Sequence, residues 1–301
     1  MIKQGLVSVI IPTYGRSDSL KSAVQSVLNQ DYHDIEVIII DDNDDVNTSE
    51  QVRLNLASFG NDSRLRYFSD GQNRGGAGAR NKGIEISSGQ YITFLDDDDL
   101  YINNKVSLQM DFLYKNNLDI CICDMFFQKD NRFKDVSNCY ARGFTLKDFI
   151  LDGNCYTPMI LCKKELLIRV GGFILTPRFQ DHLLMIRLLA YTTKVGHLEE
   201  KLFIHNNHDG ERITYSKKSI AAYELREKIE RTHIHLLTIR EKKSFEFKKA
   251  VIRMKISRLN HQPKKLFMNT LMALKSLSTF KEMLIFLKTV IRVVVYGSKN
   301  V

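Results

Sequence analysis

The chain has 301 residues, of which 44% are hydrophobic and 26% charged, which excludes a disordered protein and is typical of one large folded domain or one and a half domains. Its net charge of +9 is uneven, because residues 216–301 carry a net +14 and the first 215 residues carry −5. The odd count of five cysteines, without zinc-knuckle or CxxC spacing, indicates a reduced intracellular protein.

The first hundred residues alternate between strand and helix patterns. Short apolar runs at 7–11, 37–40, 66–68 and 91–95 predict buried parallel strands, and the first is followed by a helix with one apolar face. The run at 6–11 is too short for the apolar core of a signal peptide, so we expect a cytoplasmic protein. Three of the strands end in polar or acidic clusters. Ligands bind at that edge of an open parallel sheet, so the pattern predicts a nucleotide-binding α/β fold.

The middle third of the sequence is mixed and the last third is helical. Helices are predicted at 103–116, 144–151 and 180–190, strands at 119–124 and 158–162, and a tight turn at 171–173. From residue 219 onward basic and apolar residues interleave at helical spacing, with a break at Pro263. The apolar run at 283–296 is too short and too charged to span a membrane. We therefore predict an α/β domain over residues 1–215 and a basic helical region over residues 216–301.

Four consecutive aspartates, at positions 96–99, directly follow the fourth predicted strand. Mg²⁺ and Mn²⁺ prefer carboxylate oxygens and usually keep waters or substrate phosphates as further ligands. The alternative is a solvated acidic turn, which is the usual fate of a charge run. We favour the metal interpretation, because like charges at the end of a buried strand repel one another without a cation.

Two further segments indicate nucleotide binding. Asp42 follows the second strand, where a carboxylate accepts a hydrogen bond from a base N–H or a ribose hydroxyl. An EF-hand over the same segment is excluded, because valines occupy its glycine and glutamate positions. The glycine-rich loop at 73–81 leads into a helix, whose start favours anions. Because Asn81 stands at the last glycine position of GxGxxG, a dinucleotide site is not expected, and no P-loop occurs.

Asp181, at the start of an apolar helix, has an ordinary interpretation as an N-cap, and His205 and His208 are interpreted most simply as solvated loop residues.

Together, however, the segments described above resemble glycosyltransferase family 2, which has the GT-A fold, a mostly parallel Rossmann-like sheet flanked by helices. The resemblance covers residues 6–215. It rests on the opening strand and its turn, on Asp41-Asp42, on Asn73-x-Gly75 with Ala79-Arg80-Asn81, on Asp96-Asp97-Asp98, and on Gly171-Gly172-Phe173 followed by Gln180-Asp181.

The resemblance implies a role for each matched residue. Asp98 is the implied direct ligand of Mn²⁺ or Mg²⁺, and His208 resembles a late histidine that reaches the metal or the diphosphate in some members. Asp181 is the implied catalytic base, and Gln180 stands where the family usually has glutamate, at a position that the resemblance associates with acceptor contacts. The nucleotide, ribose and diphosphate contacts fall on Pro12, Tyr14, Asp42, Gly75, Arg80, Asp96 and Asp97.

The expected function is inverting transfer of a hexose-type sugar, from a UDP donor, in the synthesis of a bacterial surface polysaccharide. A nucleotide-sugar-binding protein without turnover and a nucleic-acid-binding protein acting through the basic region remain alternatives. For the basic region itself we weigh packing on the domain against attachment to an anionic membrane, which would place the protein on the inner face of the cell membrane. No nucleic-acid partner is expected.

Overall fold

The computed structural model describes residues 2–15, 17–60, 62–206 and 217–292. The chain divides into two compact units, residues 1–211 and 212–301. The strands, all in the first unit, are β1 (Lys3–Thr13), β2 (Ile35–Asp41), β3 (Leu65–Ser69), β4 (Gly89–Phe94), β5 (Leu100–Tyr101), β6 (Ile120–Lys129), β7 (Arg132–Lys134), β8 (Ile160–Lys163) and β9 (Val195–Asn206). The α-helices of this unit are α1 (Ser17–Leu28), α2 (Val46–Leu56), α3 (Gly75–Ile86), α4 (Lys105–Lys115), α5 (Leu146–Asp152), α6 (Lys164–Arg169) and α7 (Gln180–Tyr191).

The described strands form one mixed nine-stranded sheet in the order β3-β2-β1-β4-β8-β6-β9-β5, with β7 paired to β6. The first four strands are parallel to one another. Beyond them β8 is antiparallel to both β4 and β6, whereas β6 and β9 are parallel. Every residue of β2 is buried, as expected of a β-branched strand covered by helices on both faces. The carboxyl ends of β1, β2 and β4 therefore meet at one edge of the sheet.

Helix α3 lies close against β1 because it carries glycine at the point of contact. A Cβ atom added to Gly83 would lie 2.4 Å from Cγ2 of Ile10, so any larger residue would push the helix away from the sheet. This close packing sets the position of the helix start, at Gly75, relative to the carboxyl ends of the strands.

The structure confirms the predicted α/β class and the predicted strands and helices of the first unit, and it adds five elements. The sequence prediction does not contain helices α2 and α6, the short strands β5 and β7, or the twelve-residue strand β9. His205 lies in β9 and is half-buried, so its interpretation as a solvated loop residue was wrong. The strand forms because pairing with β6 and β5 buries Leu202 and Phe203, a gain that the local sequence does not show.

The second unit contains α8 (Lys217–Thr232), α9 (Ile239–Leu259), α10 (Pro263–Lys275) and α11 (Phe280–Val290). Helix α10 begins at Pro263, which confirms the predicted break. The core of the unit joins α9, α10 and α11 through six buried residues, Phe247, Ala250, Val251, Met254, Ala273 and Phe286. None of the helices within the described part of the chain is long and apolar enough to cross a lipid bilayer.

Candidate active site

The turns after β1 and β2 are joined by backbone and side-chain hydrogen bonds. The backbone N–H of Asp42 donates to the carbonyl oxygen of Thr13 (2.9 Å), and the N–H of Gly15 donates to Oδ1 of Asn43 (2.8 Å). Asp41 is buried and accepts hydrogen bonds from Asn43 and from the hydroxyl of Tyr67. Tyr14 follows β1 with an exposed ring. Asp41 thus supports the turn, while Asp42 and the Tyr14 ring stand at the edge of the sheet.

Asp42 is held against the glycine-rich loop. Its Oδ1 accepts a hydrogen bond from the backbone N–H of Arg74 (2.8 Å). Burial raises the pKa of Asp42, and the N–H groups of Arg74 and Gly75 oppose that rise. Gly75 begins α3 with φ = +68°, a left-handed conformation that glycine adopts without strain. The loop therefore places the start of α3, where backbone N–H groups favour anions, next to a buried carboxyl group.

The four aspartates after β4 have four different environments. Oδ2 of Asp97 accepts a hydrogen bond from Oγ1 of Thr13 (2.8 Å), and Oδ1 of Asp96 pairs with Arg80 (2.5 Å). Asp99 is fully buried and contacts Nδ1 of His205 through both oxygens (3.1 Å each). Asp98 is half-buried, and its backbone carbonyl accepts a hydrogen bond from the Asn206 side chain (2.6 Å). Pairing with Arg80 and His205 relieves the repulsion at both ends of the run.

Asp99 and His205 titrate as a pair. Burial raises the pKa of Asp99 to about 7, against the opposing effect of the His205 hydrogen bond. Burial alone lowers the pKa of His205, but its hydrogen bond to Asp99 and the negative charges of Asp99, Asp96 and Asp98 outweigh burial and raise it. The hydrogen bonds from His205 and from the backbone N–H of Asn206 (2.9 Å) to Asp99 join β9 to the acidic run.

Arg80 connects the acidic run to the start of α7. Its Nη2 contacts Asp96, and its Nη1 donates to Oε1 of Gln180 (2.8 Å). The guanidinium also lies over the Phe173 ring, 5.7 Å from its centroid. Phe173 is in turn fixed to α3, because its N–H and carbonyl groups bond to the Asn81 side chain at 2.7 and 2.9 Å. The Gly171-Gly172-Phe173 turn and the start of α7 are thereby joined to α3, which carries Arg80 and Asn81.

Asp181 stands in the first turn of α7, but it is not the N-cap. The N-cap is Phe179, in a left-handed conformation with φ = 62° and without a capping side-chain hydrogen bond. The N-cap interpretation of Asp181 is therefore wrong. The Asp181 side chain is half-buried, and its Oδ1 accepts a hydrogen bond from the N–H of His182 (2.7 Å). Helix capping therefore does not account for the Asp181 carboxylate.

Among the described residues, no three side chains of His, Cys, Asp or Glu are arranged to hold a metal ion by themselves. The carboxylates after β4 still fit a hard divalent cation whose remaining ligands come from the substrate. Asp96, Asp97 and Asp98 offer only carboxylate oxygens, and Mg²⁺ sites commonly use one or two carboxylates with waters and substrate phosphates. His208, the other predicted metal ligand, lies outside the described residues.

The structure links several of the predicted site residues through hydrogen bonds, and it adds residues that the sequence does not identify. Asp42 bonds to Thr13, which lies between Pro12 and Tyr14, and Arg80 joins Asp96 to Gln180, the residue before Asp181. Sequence reasoning does not identify Thr13 or Asn206. A threonine at the end of a strand carries no distinctive pattern, and the position of Asn206 can be inferred only once β9 is recognised as a strand.

A family model described as Glycosyl transferase family 2 matches residues 8–178. Over 113 residues the chain is 37% identical to WfgD of Escherichia coli, described as a UDP-Glc:alpha-D-GlcNAc-diphosphoundecaprenol beta-1,3-glucosyltransferase; the match covers 38% of this chain and 43% of WfgD. The chain spans between 16% and 63% of the length of the first curated relatives that it matches.

Two groups of solved structures share the fold. The crystal structure of S. aureus TarS 1–349 in complex with UDP-GlcNAc superposes with a TM-score of 0.65 at 16% identity, covering 96% of this chain and 81% of that one. The mannosyltransferase PcManGT from Pyrobaculum calidifontis, in complex with GDP-Man and Mn²⁺, gives a TM-score of 0.54 at 16% identity, covering 94% and 78%. The likeness confirms the predicted GT-A fold.

Proposed function

The chain belongs to glycosyl transferase family 2, and we propose that it is an inverting hexosyltransferase that moves a sugar from a UDP donor to a hydroxyl acceptor. The observation that carries the proposal is the connected set of contacts at the carboxyl ends of β1, β2 and β4. Asp42, Thr13 and Asp97 are joined there by hydrogen bonds, and Arg80 extends the set to α7. The donor assignment is supported by WfgD, named for UDP-Glc, and by TarS, seen with UDP-GlcNAc.

In this proposal the nucleotide lies along the sheet edge. The exposed Tyr14 ring and Pro12 contact the base, and the Asp42 carboxyl group accepts a hydrogen bond from the base N–H. Asp96 and Asp97 face the ribose and the diphosphate. Arg80 keeps Asp96 in place, and the glycine at position 75 lets the backbone approach the ligand.

A divalent cation, Mn²⁺ or Mg²⁺, would be held by Asp98 together with the donor's phosphates, and His208 is proposed as a further ligand. Bound there, such a cation supplies positive charge that offsets the charge of a diphosphate. Mn²⁺ accompanies GDP-Man in the PcManGT structure. The chain's own contribution is to hold the carboxylates: Thr13 orients Asp97, and Asn206 anchors the backbone of Asp98.

Asp181 is proposed as the general base. A carboxylate that takes the proton from the acceptor hydroxyl makes that oxygen a better nucleophile, and it must lie on the face of the sugar opposite the leaving group. One displacement from that side inverts the anomeric centre. The position of Asp181 next to Gln180, which bonds to Arg80, supports this role.

The acceptor is proposed to be a lipid-linked sugar chain of a surface polysaccharide, following the diphosphoundecaprenol acceptor in the name of WfgD. Such an acceptor lies in the membrane. We therefore propose that the protein works in the cytoplasm and contacts the inner face of the cell membrane through its basic C-terminal helices.

The test compares ligand binding and turnover in two variants. UDP with Mn²⁺ should raise the thermal stability of the wild-type protein, by about 2.7 kcal/mol at a hundredfold excess over Kd. Asp98→Asn should lose the Mn²⁺-dependent part of that gain. Asp181→Asn should keep it and lose UDP release from UDP-glucose or UDP-GlcNAc with a GlcNAc-diphosphoundecaprenol acceptor. UDP binding without turnover in the wild type would instead indicate a non-catalytic binding protein, and retained transfer in Asp181→Asn would refute the base assignment.

A further inference from the structure

Helix α11 differs from an ordinary surface helix because it exposes a line of apolar side chains. Its buried residues are Glu282, Phe286 and Thr289, whereas Phe280, Leu284, Leu287 and Ile291 are 70%, 42%, 49% and 48% exposed. These four exposed residues, spaced at i, i+4, i+7 and i+11, form one line along the helix, which we name the α11 stripe. Ordinary surface helices bury their apolar stripe and expose their polar one.

Specific hydrogen bonds hold α11 in this orientation. The Glu282 carboxylate accepts hydrogen bonds from the Ser244 hydroxyl (2.6 Å) and from the Ser278 N–H and hydroxyl (2.9 and 2.8 Å). Phe286 packs into the core of the second unit. Rotating the helix to bury the stripe would break the Glu282 bonds and remove Phe286 from the core. The outward direction of the α11 stripe is therefore part of the folded unit.

Helix α10 exposes residues of the same kind, and the two helices concentrate the exposed apolar surface of the protein. Phe267, Leu271 and Leu274 are exposed on α10. Residues 263–292, a tenth of the chain, hold eleven of the twenty-four large apolar side chains that are exposed in the described residues. A concentration of this kind marks an interaction surface, whereas single exposed apolar residues need no explanation.

The charge on the same two helices has one sign. Residues 263–292 contain five lysines and one arginine, all exposed, and their single acid, Glu282, is buried. Lys281, Lys288 and Arg292 follow one another at i, i+7 and i+11, directly beside the α11 stripe. An exposed apolar line flanked by a basic line is the pattern of a helix that lies in the interface of an anionic membrane.

We propose that α10 and α11 form a membrane-docking face, in which the α11 stripe inserts below the headgroups and the flanking lysines contact anionic phospholipid. This deepens the membrane contact of the proposed function, but it does not depend on the assignments of donor or base. A lipid surface fits better than a second copy of this face, because self-association would bring two sets of six positive charges together. Nucleic acid would satisfy the lysines but leave the apolar stripe in water.

The chain contains no tryptophan, so the fluorescence of a single introduced tryptophan reports on the surroundings of that one position. In Leu284→Trp the single indole should shift its emission to shorter wavelength on addition of vesicles of phosphatidylcholine with phosphatidylglycerol. Leu54→Trp, at an exposed apolar position on α2, serves as the matched control and should show no shift. An unshifted Leu284→Trp spectrum, or equal shifts in both variants, would overturn the proposal.

Sedimentation with the same vesicles tests the charge and separates the other occupants. Replacing Lys281 and Lys288 by alanine should weaken binding about 30-fold, the effect of two basic residues at such a surface. Leu287→Glu should abolish binding, whereas Leu54→Glu should leave it unchanged. A concentration-dependent dimer that Leu287→Glu dissociates, with no vesicle binding by the wild type, would refute the lipid proposal. UDP binding by each variant shows that the first unit is folded, so a failure here is distinct from a failure of the proposed function.

Discussion

Gln180 accepts one hydrogen bond and donates another, and the donated one requires its amide nitrogen. Its Oε1 accepts from Nη1 of Arg80 (2.8 Å), and its Nε2 donates to the carbonyl oxygen of Thr176 (2.8 Å). Related family members usually have glutamate at this position. In Gln180→Glu both terminal atoms are acceptors, so one of them must face the Thr176 carbonyl.

The balance of these contacts predicts a loss of stability. A charge-assisted bond to Arg80 gains about 1 kcal/mol over the neutral one. Loss of the bond to Thr176 costs about 1 kcal/mol, and two acceptors left facing each other cost about 1–3 kcal/mol more. We therefore expect Gln180→Glu to lower the unfolding free energy by about 1–3 kcal/mol, which is about 2–12 °C in Tm for a domain of this size.

Thermal unfolding at pH 7 and at pH 4 measures the effect. The loss should shrink at pH 4, below the ordinary glutamate pKa of about 4.3, because a protonated carboxyl group can again donate to Thr176. Gln25→Glu is the matched control: Gln25 bonds through its amide to Asn29 on an exposed helix face, so the change should stay within about 0.5 kcal/mol. Equal or greater stability of Gln180→Glu at pH 7 would show that the amide contacts do not hold this residue.

Two further predictions concern the framework of the site. Gly172→Ala should cost about 3 kcal/mol of unfolding free energy, because φ is +64° and the new Cβ would lie 2.3 Å from Oδ1 of Asn81. The Asn81 side chain would then lose its two hydrogen bonds to Phe173. The control is Gly71→Ala, where φ is +71° but the space around the new Cβ is open, and it should cost about 1 kcal/mol. Equal losses in the two variants by urea unfolding would refute the contact. Burial raises the pKa of Glu36, but hydrogen bonds from Ser8, Ser88 and Arg66 outweigh burial and lower that pKa. The ionised Glu36 side chain therefore stabilises the fold above pH about 4.3, and this contribution is lost as pH falls through the lower folded-state pKa. Glu36→Gln should therefore show a shallower loss of stability than the wild type below pH about 4.3, and parallel pH profiles would contradict this.

Much of the fold could be predicted because it depends on local patterns. The strands that became β1, β2, β3 and β4 are short apolar runs, and each stops where the sequence changes to polar residues. The helix α7 is apolar on nearly all sides, which already indicated a buried helix. Helix α2 has only two buried residues, Val52 and Leu56, so its apolar periodicity is weak and the sequence did not reveal it. Strand β9 forms through pairing with β6 and β5, which lie far away in the sequence.

The candidate site likewise has features that the sequence determines and features that depend on the tertiary structure. The sequence by itself determined which carboxylates stand at strand ends, because a turn after a buried strand places its residues at the sheet edge whatever the rest of the fold does. Only the tertiary structure decided how those carboxylates differ: Asp96 pairs with Arg80, Asp97 with Thr13, and Asp99 with His205. The partners are 16, 84 and 106 residues away, and a contact over such a separation depends on strand order and helix packing, which no local pattern contains. The exposure of the α11 stripe was also decided by the tertiary structure, because the hydrogen bonds of Glu282 and the packing of Phe286 determine which side of that helix is buried.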